Sequence, residues 1–223
     1  IGSLRPSSSP YFTTSHLIHL VDTARLFASP SFTVTIITTL SNAALFQASV
    51  NRDIAAGNKI TVQTLRCPSA EGGLPEEIEN FGTADSIEIA IKVSQGVFLL
   101  QKPMEKWIRN GRPHCIVSVM LYPWTVDIAG EMKIPRLMFY ANNCFYHCVY
   151  NNLKLHAPHD KVECGKKRFV IPGLPDEIEM TRAQLEDYHS VDDELTRLFT
   201  LAKESGLRSY GTVFNSFYKL EPA

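Results

Sequence analysis

The residue of this chain best set for proton transfer is His16, at the start of the run Pro10 to Asp22 (PYFTTSHLIHLVD). Ser15 is an N-cap residue type, and Leu17, Leu20, Val21, Ala24, Leu26 and Phe27 follow at helical spacing. That pattern predicts an amphipathic helix with His16 in its first turn, beside free backbone N–H groups and the positive end of the helix dipole. Such a field lowers an imidazole pKa and favours the neutral form that a general base must have. The plain alternative is a polar first-turn residue on a surface helix.

Other constellations carry less chemistry. Cys144, His147, Cys148, His156, His159 and Cys164 gather near one another in sequence, and Cys144 and Cys148 lie one helical turn apart. Their spacings match no standard zinc site, so packing and surface placement account for them and no metal is expected. Phe139, Tyr140, Phe145 and Tyr146 could line an apolar pocket or simply fill a core. Glu76, Glu77 and Glu79 read as a solvated loop group. No Walker-type loop or GxGxxG run occurs to cradle a phosphate.

The elements that would position His16 alternate along the chain. Phe32–Thr39 is rich in β-branched residues and reads as a buried parallel strand, preceded by the helix from His16 to about Ala28. A helix from Ser41 through Val50, a strand over Lys59–Leu65 and a turn-rich loop over Cys67–Pro75 follow. A long helix is expected from Asp85 to about Asn110, stopped by Gly111 and Pro113. Then come a strand over Cys115–Met120, a helix opened by Pro123, a strand over Ile134–Tyr140 and a helix from about Asn142 to Leu155. An irregular region to Arg168, helices over Thr181–Asp187 and Asp192–Ser205, and a strand over Ser209–Asn215 complete the chain. This order predicts an α/β fold with a mainly parallel sheet and helices on both faces. The 223 residues, 44% of them hydrophobic, suffice for one large α/β domain or two small ones, and no interdomain linker is seen. It would occupy residues 10–223 after an irregular 1–9.

Composition removes several classes of function. Net charge is −1 and the longest basic run is Lys166 to Arg168, so there is no electrostatic footprint for nucleic acid. No apolar stretch approaches the ~20 residues of a membrane span, and the first nine residues have no signal-peptide core. Five scattered cysteines without a CxxC pair fit a reducing compartment, and a cytoplasmic location is expected. Cys115 and Cys144 fall within apolar segments.

Seven segments in order resemble the plant family 1 UDP-sugar-dependent glycosyltransferases. They are Ser15–Ala28 (SHLIHLVDTARLFA), Val34–Thr39 (VTIITT), Gly73–Glu77 (GLPEE), Pro123–Asp127 (PWTVD), Ile134–Arg136 (IPR), Val170–Pro175 (VIPGLP) and Ser209–Tyr218 (SYGTVFNSFY). The wording is most similar to the subgroup acting on triterpenoid saponins and flavonoids. The resemblance implies the N-terminal half of the GT-B fold, a Rossmann-like domain that binds the acceptor. The C-terminal UDP-sugar-binding domain, with its Trp/Gln/His/Gly-rich signature box, has no counterpart in these residues.

In a complete protein the resemblance implies inverting transfer of glucose or galactose from a UDP-sugar to a hydroxyl of a lipophilic metabolite. The UDP-sugar is a co-substrate, and no cofactor is implied. His16 matches the catalytic base. The family's orienting aspartate falls at Val119, which cannot accept a hydrogen bond, and the family's proline three residues after the histidine is His19. The acceptor cleft is expected beyond the carboxyl ends of the strands. Its walls would come from Ser15, His19, Leu74, Pro123, Trp124, Tyr140, Asn143 and Phe145. The alternative is a non-catalytic remnant of such an enzyme that binds small apolar ligands or nothing.

Overall fold

The computed structural model describes residues 14–66, 92, 96, 98–162, 165–185 and 194–221. Helix α1 (Thr14–Phe27) presents Leu17, Val21 and Ala24 at the 3.6-residue period. They meet Ile36 of strand β1 (Val34–Thr39) and Ile60 of strand β2 (Ile60–Leu65) in one apolar cluster. β1 and β2 pair in parallel from Val34↔Ile60 to Thr39↔Leu65. Their crossover carries two helices, α2 (Leu40–Ala44) and α3 (Gln47–Ala55), where a single one was expected. The break is Phe46, which leaves helical geometry (φ −128°, ψ −2°) and buries its ring beside Ala43 and Val50. An uninterrupted helix is given up for that burial.

A second parallel ladder has strands β3 (Ile116–Val119), β4 (Arg136–Tyr140) and β7 (Gly211–Phe214) in the order β3-β4-β7. Helices α4 (Gln101–Gly111) and α5 (Thr125–Met132) flank it, with α6 (Cys144–His156) and α7 (Glu194–Leu207) completing the unit. The two parallel ladders are not hydrogen-bonded to each other among the described residues, but they share a core. Ile37 and Leu65 pack against Leu100, Met104, Ile108 and Ile116 in one cluster, so α4 and its flank join them. Arg136 locks the second ladder from within, at 2% exposure. Its Nε donates to Ser118 Oγ at 2.9 Å and its Nη1 to Ser209 Oγ and the Ser205 carbonyl. Burial pulls this guanidinium down to about 10.

Strands β5 (Arg168–Val170) and β6 (Glu179–Thr181) form a short antiparallel pair that the sequence pattern did not suggest. Phe169 and Ile171 bury there with Val149 and Val162. Gly173 (φ +82°) in the connecting turn lies so close to α6 that a Cβ would meet Asn152 Oδ1 at 2.5 Å. The helix expected over Thr181–Asp187 is instead the end of β6 and a 3₁₀ turn, Arg182–Gln184, closed by a Thr181/Gln184 capping box. The remaining strands fall within two residues of the expected ones, since the β-branched runs were long enough to declare themselves. The expected Asp85–Asn110 helix is described only toward its C-terminal end. There it stops at Arg112 in the left-handed region (φ 45°). No described helix is long and apolar enough to cross a membrane.

Candidate functional site

Parallel strands deliver their carboxyl ends to one edge, and the chain leaves β3 and β4 there through Val119-Met120 and Tyr140-Ala141-Asn142. These segments line an open cavity of about 120 Å³. α6 adds Tyr146, His147 and Tyr150, and α7 adds Lys203. α1 contributes His16. The walls are mostly apolar or aromatic, with their polar groups few and separate.

The aromatic wall has a local cause. Asn143 caps α6 by accepting from the Tyr146 N–H at 2.8 Å, which fixes the helix start directly after β4. Residues 146, 147 and 150 then share one face at the i, i+1, i+4 spacing. His147 packs 4.0 Å centroid to centroid from Tyr140 and 4.9 Å from Phe214. Tyr140 and Phe214, paired across the ladder, stack at 5.7 Å. Gly206 lets α7 approach β4 closely: a Cβ there would come within 3.2 Å of the Tyr140 hydroxyl. That approach sets Lys203, one turn earlier, against Tyr150, with Nζ 4.3 Å from the ring centroid and bonded to its hydroxyl.

His16 is half-buried and its pKa is lowered, first by burial and then by the nearby charge of His19. A hydrogen bond with the Asn142 side chain works the other way. The direction is the one expected from the sequence, and burial is its leading cause. Burial also lowers His147 and raises the Tyr140 hydroxyl. At neutral pH His16 is therefore an unprotonated imidazole facing an apolar cavity. It is chemically able to accept a proton from a hydroxyl bound there.

The residues singled out from sequence divide. His16 and Tyr140 line the cavity, and Val119 lines it with them. His19, half-buried, acts on His16 through its charge. Asn143 caps α6 and is exposed, while its neighbour Asn142 is the one that reaches His16. Phe145 is 49% exposed and gives its backbone N–H to Glu221. Pro123 and Trp124 line a different cleft with Asp127, Glu204 and Arg208, and Trp124 is part of the core around α4 and α5. Pro123 precedes α5 rather than opening it, because the chain first makes a tight turn in which the Thr125 N–H bonds the Tyr122 carbonyl. Ser15, expected as an N-cap, lies inside α1; its side chain and the whole of Leu74 are outside the described residues.

Several lining residues lay outside the candidate site set, although Tyr146 was noted as a possible pocket aromatic. Tyr146 and Tyr150 were legible from helical spacing after Asn142. Lys203 had no sequence signal at all, since only tertiary packing brings it to Tyr150, 53 residues away. Among the described residues no group of three or more His, Cys, Asp or Glu side chains is placed to hold a metal. Cys115, expected within an apolar segment, is exposed.

No protein-family model matches the chain. It is 47% identical over 221 residues to nuatigenin 3-beta-glucosyltransferase of Solanum aculeatissimum, covering 96% of this chain and 45% of that protein. It is 40% identical over 222 residues to soyasapogenol B glucuronide galactosyltransferase of Glycine max, covering 100% of this chain and 45% of that one. Among solved structures, Glycyrrhiza uralensis UGT73P12, complexed with glycyrrhetinic acid 3-O-monoglucuronide, superposes with a TM-score of 0.84 at 40% identity. That match covers 96% of this chain and 44% of the other. The fold is thus the Rossmann-like α/β half of the GT-B architecture. The chain belongs with the plant UDP-glycosyltransferases and spans about half the length of the curated relatives it matches.

Proposed function

We propose that these residues, 10–223 in particular, form the acceptor-binding half of an inverting UDP-sugar-dependent glycosyltransferase. The donor site then lies in the part of the relatives that this chain does not span. The carrying observation is the neutral, half-buried His16 facing an apolar cavity at the carboxyl edge of the ladder. His16 takes the proton of an acceptor hydroxyl as its oxygen attacks the anomeric carbon of the UDP-sugar. The bond from that carbon to the diphosphate oxygen breaks, and UDP leaves with the electron pair. The acceptor is a lipophilic plant metabolite of the triterpenoid or flavonoid class, in keeping with the relatives' names, and the sugar is glucose or galactose. The reduced cysteines and balanced charge fit a cytosolic protein with no nucleic-acid partner.

Val119 favours a second reading, in which the cavity binds such molecules without turning them over. A valine beside His16 cannot hold the imidazole's other nitrogen as a carboxylate would. The two readings part in one experiment. The chain is joined to the donor half of a related enzyme and UDP release is followed over sapogenin and flavonoid acceptors. The enzyme reading expects release that falls ~10²–10⁴-fold in His16→Ala. Tight acceptor binding with release no higher than in His16→Ala would establish the binding-only reading.

A further inference from the structure

Lys203 is the only formal cation lining the His16 cavity, and no Asp or Glu lines it among the described residues. Its bond to the Tyr150 hydroxyl and its place over that ring supply no countercharge. An ammonium held against apolar and aromatic walls is stabilised by an anion that enters with the ligand. A second group points the same way. His147 lines the cavity, and its buried Nε2 has no hydrogen-bond partner among the described residues. An imidazole N–H and an ammonium lining one cavity can each donate to a carboxylate oxygen.

We propose that the cavity selects acceptors that carry a carboxylate as well as the hydroxyl, with Lys203 as the residue that reads the anion. This rests on the cavity being an acceptor site, and it narrows the acceptor class from lipophilic alcohols to hydroxylated acids. The carboxylate lies at the α6–α7 wall, while the hydroxyl faces His16 from α1. Recognition of the charge is separate from proton transfer. Lys203 is accordingly a specificity residue, distinct from the base.

The test titrates the 223-residue chain with two matched pairs by calorimetry. The pairs are 4-hydroxycinnamic acid and its methyl ester, and glycyrrhetinic acid and its methyl ester. At least one acid is expected to bind ~10-fold or more tightly than its ester, a preference that shrinks as salt is raised. Lys203→Met, which keeps the aliphatic contact with Tyr150, and Lys203→Gln should each bring acid and ester to within ~2-fold, with melting temperatures confirming the fold. Equal binding of acid and ester by the unaltered chain overturns the inference and leaves the acceptor reading intact. A preference that survives in either folded variant overturns the role of Lys203. Failure of all four compounds to bind overturns the acceptor reading, and this inference with it.

Discussion

Two concavities open from the same turn of the chain and from opposite faces of the same helix, yet they differ in kind. Val119 and Met120 line the cavity of about 120 Å³ that holds His16, and Pro123 and Trp124 line a cleft of about 220 Å³. α7 serves both: Lys203 faces the first, while Leu201, Glu204, Ser205 and Arg208, at the 3.6-residue period, face the second. The second cleft is the more polar of the two, and Arg208 pairs with Asp127 at its surface. The first is walled by aromatic rings and holds an imidazole made less basic by burial. What marks it is a proton-accepting imidazole set in apolar, aromatic surroundings.

The sharpest way to test that contrast is to complete the cavity's chemistry. In a protein carrying a competent donor half, Val119→Asp would place a carboxylate in the cavity that His16 lines. The expected gain in kcat is up to ~10⁴-fold, the scale on which such a carboxylate acts in a hydrolase triad. The measurement is UDP release with folding confirmed by melting. No gain in the folded variant would mean that His16 does not meet position 119 in the way a base–carboxylate pair requires.

The cleft should respond in stability instead. Trp124→Ala removes a ring that packs with Ile108, Ile116 and Ile128, and should cost ~3–5 kcal/mol in chemical denaturation. Arg208→Ala removes an exposed ion pair and should cost no more than ~1 kcal/mol. Ligand binding at the His16 cavity should be unchanged in Arg208→Ala. If Trp124→Ala leaves the denaturation midpoint alone and abolishes ligand binding, the roles of the two concavities are reversed.

The smallest expected effect is the titration of His16. Its folded pKa lies below the ordinary 6.5, as does that of His147, because burial disfavours the imidazolium. Between 6.5 and those lower values the unfolded chain binds more protons than the folded one. The stabilisation from the neutral imidazoles is therefore whole above pH 6.5 and is lost as pH falls through the folded pKa values. Melting temperature should drop on acidification through this window, and less so in His16→Ala. The Asn142 hydrogen bond holds the His16 pKa up, so Asn142→Ala should lower it further in an NMR titration. An upward shift would show that the bond favours the neutral ring.

How far sequence reaches is visible at adjacent positions. β1 to β4 and β7 announced themselves as β-branched or apolar runs, and α1, α6 and α7 by their apolar spacing. β5 and β6 are three residues each, too short for any period to register. Within the site, Asn142 and Asn143 are the same residue type, and no local rule distinguishes them. One turns to His16 and the other caps α6 because the helix begins at Cys144, a choice made by how β4 ends and how α6 packs. Likewise the run PWTVD had the right residues for a pocket wall, but Trp124 lies in the core shared by α4, β3 and α5.

By itself the sequence determined which elements form and that a histidine would stand at the start of α1, because periodicity and capping act over a few residues. It also determined that valine, not aspartate, stands at position 119. Tertiary structure decided which residues His16 meets, that burial leads in lowering its pKa, and that Lys203 joins it across the cavity. Those outcomes depend on helix packing distances, such as the close approach at Gly206, and on desolvation. Both are sums over parts of the chain far apart in sequence, and neither exists until the ladders and helices have closed around them.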